Sequence, residues 1–130
     1  MTNVNICNVQ RVVKELATGC LSKYILTPED WKVVSKEALL TQSFMDEFNE
    51  FLNWDYLVMY QKMSEELMDK YKDKLDWKKV CIHQQMTEEF MIAHEDRLFW
   101  KEVWYCQSFS DDFYTRYESH LKYYKDKGIR

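Results

Sequence analysis

Four tryptophans, Trp31, Trp54, Trp77 and Trp100, stand 23 residues apart. Leucines keep the same interval at Leu52, Leu75, Leu98 and Leu121. A third echo lies between them: Gln61-Lys62-Met63-Ser64-Glu65-Glu66-Leu67, then Gln84-Gln85-Met86-Thr87-Glu88-Glu89-Phe90, then Gln107-Ser108-Phe109-Ser110-Asp111-Asp112-Phe113. A period of this length marks a repeat array, in which each unit covers its apolar face against its neighbours.

With each tryptophan as position 0, position 3 is Val34, Leu57, Val80 and Val103. Position 9 is Leu40, Met63, Met86 and Phe109, and position 14 is Met45, Met68, Met91 and Tyr114. Apolar positions 9, 13, 14, 17 and 21 follow helical spacing. Position 10 is always Ser or Thr, and acids follow it directly in the last three repeats. A hydroxyl there caps a helix by accepting an amide of its first turn, and acids in that turn suit the positive end of the helix dipole. The apolar residue at position 9 can pack on position 14 as a hydrophobic staple.

A first helix begins near each tryptophan, with Asp30, Asn53 and Asp76 as caps and Phe99 as the exception. Thr27-Pro28 adds a cap followed by proline at N1. Each repeat therefore reads as a helix of about 8 residues, a corner near the glutamine and a second helix of about 11, lengths that need neighbours to persist. Only two glycines and one proline occur, which favours helices over a sheet with many turns. The predicted fold is all-α, a single domain built as an array of short two-helix repeats. Residues 1–29 form a helical lead-in that caps the array, residues 30–121 the four repeats, and residues 122–130 a frayed basic tail with Tyr123 and Tyr124 still packing. In the lead-in, Val9, Val12, Val13 and Leu16 share a helical face, and Thr18-Gly19-Cys20-Leu21 reads as a degenerate cap step.

The pattern of Trp, then Gln-x-Met-Ser-Glu-Glu-Leu/Phe-Met, then a closing Asp-x-Leu-Asp-Trp resembles a short helical repeat of uncharacterised proteins from bacteriophages and large DNA viruses. The resemblance covers residues 30–121, and the first repeat fits least well, with Ala38 where the others have Gln. It implies a viral origin and a small protein of the host cytoplasm. Small phage proteins of this size and mild acidity are frequently inhibitors of host defence, such as anti-CRISPR proteins.

Composition narrows the function classes. The net charge of −4 comes from interspersed Lys and Glu, without the basic face of a nucleic-acid binder, so direct nucleic-acid binding is not expected. No apolar stretch approaches membrane length and no secretory leader stands at the start, so neither a membrane nor an oxidising compartment is expected. Cys7, Cys20, Cys81 and Cys106 form no C-x-x-C pair and read as buried free thiols. His83, His94 and His120 fall at unrelated repeat positions, so no metal site is assigned. No phosphate-cradling glycine loop exists, and the acid pairs recur at helix starts, where capping explains them. An active site is built once, so repetition speaks against catalysis: no catalytic residue, cofactor or enzyme activity is assigned. The tryptophans and methionines read as core, and Gln61, Gln84 and Gln107 as side chains satisfying the backbone of the helix corner.

Positions 4 and 5 change most along the array: Ser35-Lys36, Val58-Met59, Cys81-Ile82, Trp104-Tyr105. If they face solvent, Met59, Ile82, Trp104 and Tyr105 form a partner-binding stripe. The sequence thus points to a non-enzymatic viral interaction protein that binds a host protein. The alternatives are a self-assembling repeat protein and a sponge for a small molecule or nucleotide.

Overall fold

The computed structural model describes residues 4–128. They form ten α-helices and short 3-10 turns, with no strand among the described residues. The all-α expectation therefore holds. The chain divides into two compact units, Met1–Leu75 and Asp76–Arg130. The division falls one residue before Trp77, between the second and third repeats.

The first unit holds α1 (Val9–Thr18), α2 (Pro28–Glu37), α3 (Gln42–Glu47), α4 (Trp54–Tyr60) and α5 (Glu65–Lys70). In it α1 packs on α2, and α2 on α4. The second unit holds α6 (Trp77–His83), α7 (Glu88–Ala93), α8 (Trp100–Cys106), α9 (Asp111–Arg116) and α10 (Glu118–Asp126). Here α6 packs on α8, and α10 on α8 and α9. First helices thus stack on first helices within each unit.

The position 10 hydroxyls start the second helices as their spacing predicts. Thr41, Ser64, Thr87 and Ser110 accept from the backbone amides of Phe44, Leu67, Phe90 and Phe113 at 3.0–3.2 Å. Asn53 and Asp76 cap α4 and α6, and Phe99 supplies no side-chain cap to α8. Asp30 is not the cap of α2. Thr27 is, and Asp30 returns a bond to the Thr27 amide at 3.0 Å as the reciprocal half of a capping box. The other oxygen of this buried carboxylate accepts from Val4 at 3.2 Å, which ties the lead-in to the first repeat.

The second helices are shorter than predicted. Each stops after six residues at position 17, where Phe48, Tyr71, His94 and Tyr117 have φ between −102° and −118° and ψ of 25–27°. This bridge conformation ends the α-helix. A 3-10 turn follows at Lys72–Lys74 and Glu95–Arg97. The break turns the position 17 ring onto the indole of its own repeat: Trp31–Phe48, Trp54–Tyr71, Trp77–His94 and Trp100–Tyr117 have centroids 4.7–5.9 Å apart.

The core follows the period. Positions 3, 13 and 21 are buried in all four repeats, and methionines Met45, Met63, Met68, Met86 and Met91 fill positions 9 and 14. Val9, Val12, Val13 and Leu16 bury the predicted face of α1. Two readings of the ends need correction. Thr18-Gly19 is a helix stop, not a start: Thr18 donates back to Lys14 at 3.0 Å, and Gly19 takes a left-handed φ of 81°. The tail is not frayed as far as Asp126, because α10 runs through it as regular helix. Residues 1–3 of the lead-in and 129–130 of the tail lie outside the described residues.

Candidate functional site

Locating a working surface requires subtracting the side chains that folding explains. The glutamines at position 7 are the first to subtract. Gln61 donates to the carbonyls of Ser35 and Ala38 at 3.0 and 2.7 Å. Gln107 donates to Cys81 and Gln84 at 2.8 and 2.7 Å and accepts from Met86 at 3.1 Å. The amide therefore clamps the corner of the preceding repeat rather than its own. It satisfies carbonyls left open at the end of a helix. Ala38 replaces it in the first repeat, where no full repeat precedes.

Position 11 has a second role that sequence reasoning missed, shown by Glu88 and Gln42. Glu88 accepts from both the amide and the hydroxyl of Ser110 at 2.8 Å, reaching the cap of the next repeat. Gln42 makes the corresponding bridge to Ser64 and Lys62 at 2.9 and 2.8 Å. A ladder of polar contacts runs beside these. Asp46 receives the Tyr71 hydroxyl and Lys70, at 2.7 Å for the latter. Those two donors hold its carboxyl below the usual range, Lys70 foremost. Burial, then Asp46, raises the Tyr71 phenol. Tyr117 donates to Glu95 at 2.6 Å and is likewise raised, by burial and then by Glu95. These groups join one repeat to the next.

The indoles are also accounted for. Besides position 17, each of three indoles meets position 20 of its own repeat: Phe51 at 5.4 Å from Trp31, Lys74 at 5.8 Å from Trp54, and His120 stacked at 4.6 Å on Trp100. His94 is buried on Trp77 as a position 17 ring. Two histidines thus serve as flat packing groups. Among the described residues no three His, Cys, Asp or Glu side chains stand close enough to hold a metal ion. All four cysteines are free, but only Cys81 is buried; Cys7, Cys20 and Cys106 are exposed, against expectation. Burial raises the Cys81 thiol from 9.0 to about 11, although the Phe99 amide donates to it.

The proposed stripe splits in two. Position 4 is buried in every repeat, with Trp104 only 7% exposed. Its expected exposure is overturned by helix geometry. At 100° per residue, position 4 lies only about 40° from position 0 and shares its face. Trp104 is the largest occupant of position 4. It meets Phe109 at 5.8 Å and Tyr114 at 6.3 Å, the bulkiest occupants of positions 9 and 14. Position 5 does face solvent: Met59 is half-buried, Ile82 41% exposed and Tyr105 44% exposed.

Ile82 and Tyr105 lie on α6 and α8, which pack together, so the second unit presents both on one side. Position 1 flanks them with Lys78 and Lys101, both exposed. Glu102 lies largely covered, its carboxylate 3.9 Å from Lys78. The grooves of this unit lie elsewhere. One of about 420 Å³ opens beside Trp100, Tyr117 and His120, with Glu95, Asp96 and Arg116 on its walls. Another of about 230 Å³ opens over Trp104, Phe109 and Tyr114. Both are bordered by rings whose packing the repeat explains.

No family model matches this sequence, and comparison with curated proteins and with solved structures finds no match. No helix among the described residues is long and apolar enough to cross a membrane.

Proposed function

We propose that this protein is a non-enzymatic interaction module that binds another protein through the solvent face of its first helices. The observation that carries the reading is the exposure of Ile82 and Tyr105 at one repeat position on packed neighbouring helices. Folding explains the buried tryptophans, methionines and glutamines; at position 5 it gives Tyr105 one ring contact, to Tyr124 at 6.4 Å, and still leaves Ile82 and Tyr105 open to solvent. Tyrosine beside an aliphatic residue supplies contact area with few rotatable bonds, the composition favoured at protein interfaces.

The finer proposal is a viral protein acting in the host cytoplasm on a host defence component, for instance as an anti-CRISPR. It rests on the repeat resemblance and on small size. End-to-end assembly is the weaker alternative, because Trp104, Phe109 and Tyr114 fill the last repeat with groups the inner repeats do not carry. Affinity capture from host lysate tests the general reading. A partner recovered at stoichiometric yield supports it, and none recovered counts heavily against it. Protection of phage from an active interference system on co-expression tests the finer one.

A further inference from the structure

Charge is segregated in the second unit. The second helices α7 and α9 begin with Glu88, Glu89, Asp111 and Asp112, and α7 carries no cation. Of the first helices, α6 reverses the sign and α8 is neutral. Helix α6 contributes Lys78 and Lys79 and no acid. Helix α8 contributes Lys101 and Glu102, and Glu102 is engaged with Lys78. Lys101 makes no ion pair among the described residues. Along these helices positions 1, 2 and 5 point away from the buried positions 0, 3 and 4, so the lysines and the Ile82–Tyr105 pair share one face. Helix α10, packed on α8, brings Tyr124 to 6.4 Å from Tyr105. It adds Lys122, Lys125 and Lys127 against Glu118 and Asp126.

The same positions in the first unit are different. Lys32 and Lys36 have Glu29 and Glu37 at 3.3 and 3.9 Å on their own helix, and α4 carries Asp55. The first pair also sets a cation on an exposed ring, Lys36 over Tyr60 at 5.3 Å, but each of its lysines has an acid of its own helix beside it; on α6–α8 Lys78 has Glu102 across the pair and Lys101 has no ion pair among the described residues.

Resting on the interaction-module reading, we infer that the α6–α8 face docks an acidic protein segment in which Asp or Glu alternates with large apolar residues. The apolar side chains cover Ile82 and Tyr105, and the carboxylates meet Lys78 and Lys101. Opposite charges across such a contact set the partner and speed the encounter. A nucleic acid fits less well, because an exposed isoleucine offers it nothing.

The test pans the immobilised full chain against a random 16-residue peptide library and measures the enriched peptides by fluorescence polarisation. Enriched sequences carry several Asp or Glu interleaved with Leu, Phe or Trp. The Lys78→Glu/Lys101→Glu double variant weakens their binding about tenfold or more, the scale of broken charge pairs in an interface. Ala93→Glu, an exposed site on α7, leaves binding unchanged. Lys101→Glu alone melts with the parent, since Lys101 is exposed and makes no ion pair among the described residues, and it also weakens binding, which separates the face from any destabilisation that Lys78→Glu causes beside Glu102. Neutral or basic peptides, no enrichment, or equal binding to the double variant overturns the inference. So does a 20-nucleotide single strand held by the same lysines. A parent dimer that the double variant abolishes also overturns it, by placing a second copy on the face. If these arms fail while capture from lysate persists, only the partner chemistry is wrong; if both fail, the interaction reading falls as well.

Discussion

The two pairs of first helices, α2–α4 and α6–α8, share a scaffold and differ on its outside. Both bury positions 0, 3 and 4 to a similar degree, and both are clamped by a glutamine of the later repeat onto carbonyls of the earlier one. On the outside, α2–α4 carries lysines each paired with an acid of its own helix, an aspartate, a half-buried methionine and Tyr60, exposed beneath Lys36. The α6–α8 pair carries Lys78, Lys101, an isoleucine and a tyrosine. What the repeat needs to fold is nearly constant, whereas the solvent face is free to vary. The difference between the two faces is therefore where a specific role is legible.

That comparison breaks most easily in the core. Trp77→Ala and Trp104→Ala remove buried indoles, and each should cost about 3–5 kcal/mol in equilibrium unfolding through the cavity left behind. Trp54→Ala should cost less, since Trp54 is only half-buried. Equal losses at Trp54 and Trp77 would show that the indoles do not differ as their burial implies. Next come the clamps. Gln107→Ala strands carbonyls of Cys81 and Gln84 and the Met86 amide, and should cost about 1–3 kcal/mol. Gln61→Ala should do the same in the first unit, so a silent Gln107→Ala would remove the clamp from the account. Replacing Ser64, Thr87 or Ser110 by alanine should each cost about 1 kcal/mol; thermal melts identical to the parent would mean that these hydroxyls do not hold the helix starts.

The alkaline limb supplies a smaller, directional test. The Cys81 thiol is raised from 9.0 to about 11 in the folded chain. A raised acid contributes stability that is complete below its unfolded value and is lost as pH climbs through the folded one. Unfolding free energy should therefore fall between pH 9 and pH 11. The Tyr71 and Tyr117 phenols are also raised and act in the same sense. Cys81→Ala should flatten part of that slope, and an unchanged slope would contradict the buried-thiol assignment.

Much of this fold was legible because its signals are local and repeated. The position 10 hydroxyls with following acids located the second helices, and the Trp and Leu period set the repeat length. Three features escaped. The stop at position 17, where Tyr71 and His94 pack on the indole of their own repeat, leaves no mark in the periodicity. The reach of Gln61 and Glu88 to a neighbouring repeat is likewise a property of stacking. Trp104 is a different kind of miss. Its place on the buried face follows from helix angles alone, but its size drew attention to function when it packs on Phe109 and Tyr114 within the last repeat. The exposed half of the stripe, Ile82 and Tyr105, separates from position 4 by the same angles, about 100° further round the helix.

The account's central claim is that position 5 of the second unit works outward and not inward. Tyr105→Ala measured by both thermal unfolding and partner capture from host lysate tests it most directly. The account predicts a melting temperature close to the parent's and partner yield reduced, because a tyrosine 44% exposed contributes little to the core and tyrosine is a frequent anchor of protein interfaces. A variant that unfolds early, or one that keeps full partner yield, would place the working surface elsewhere.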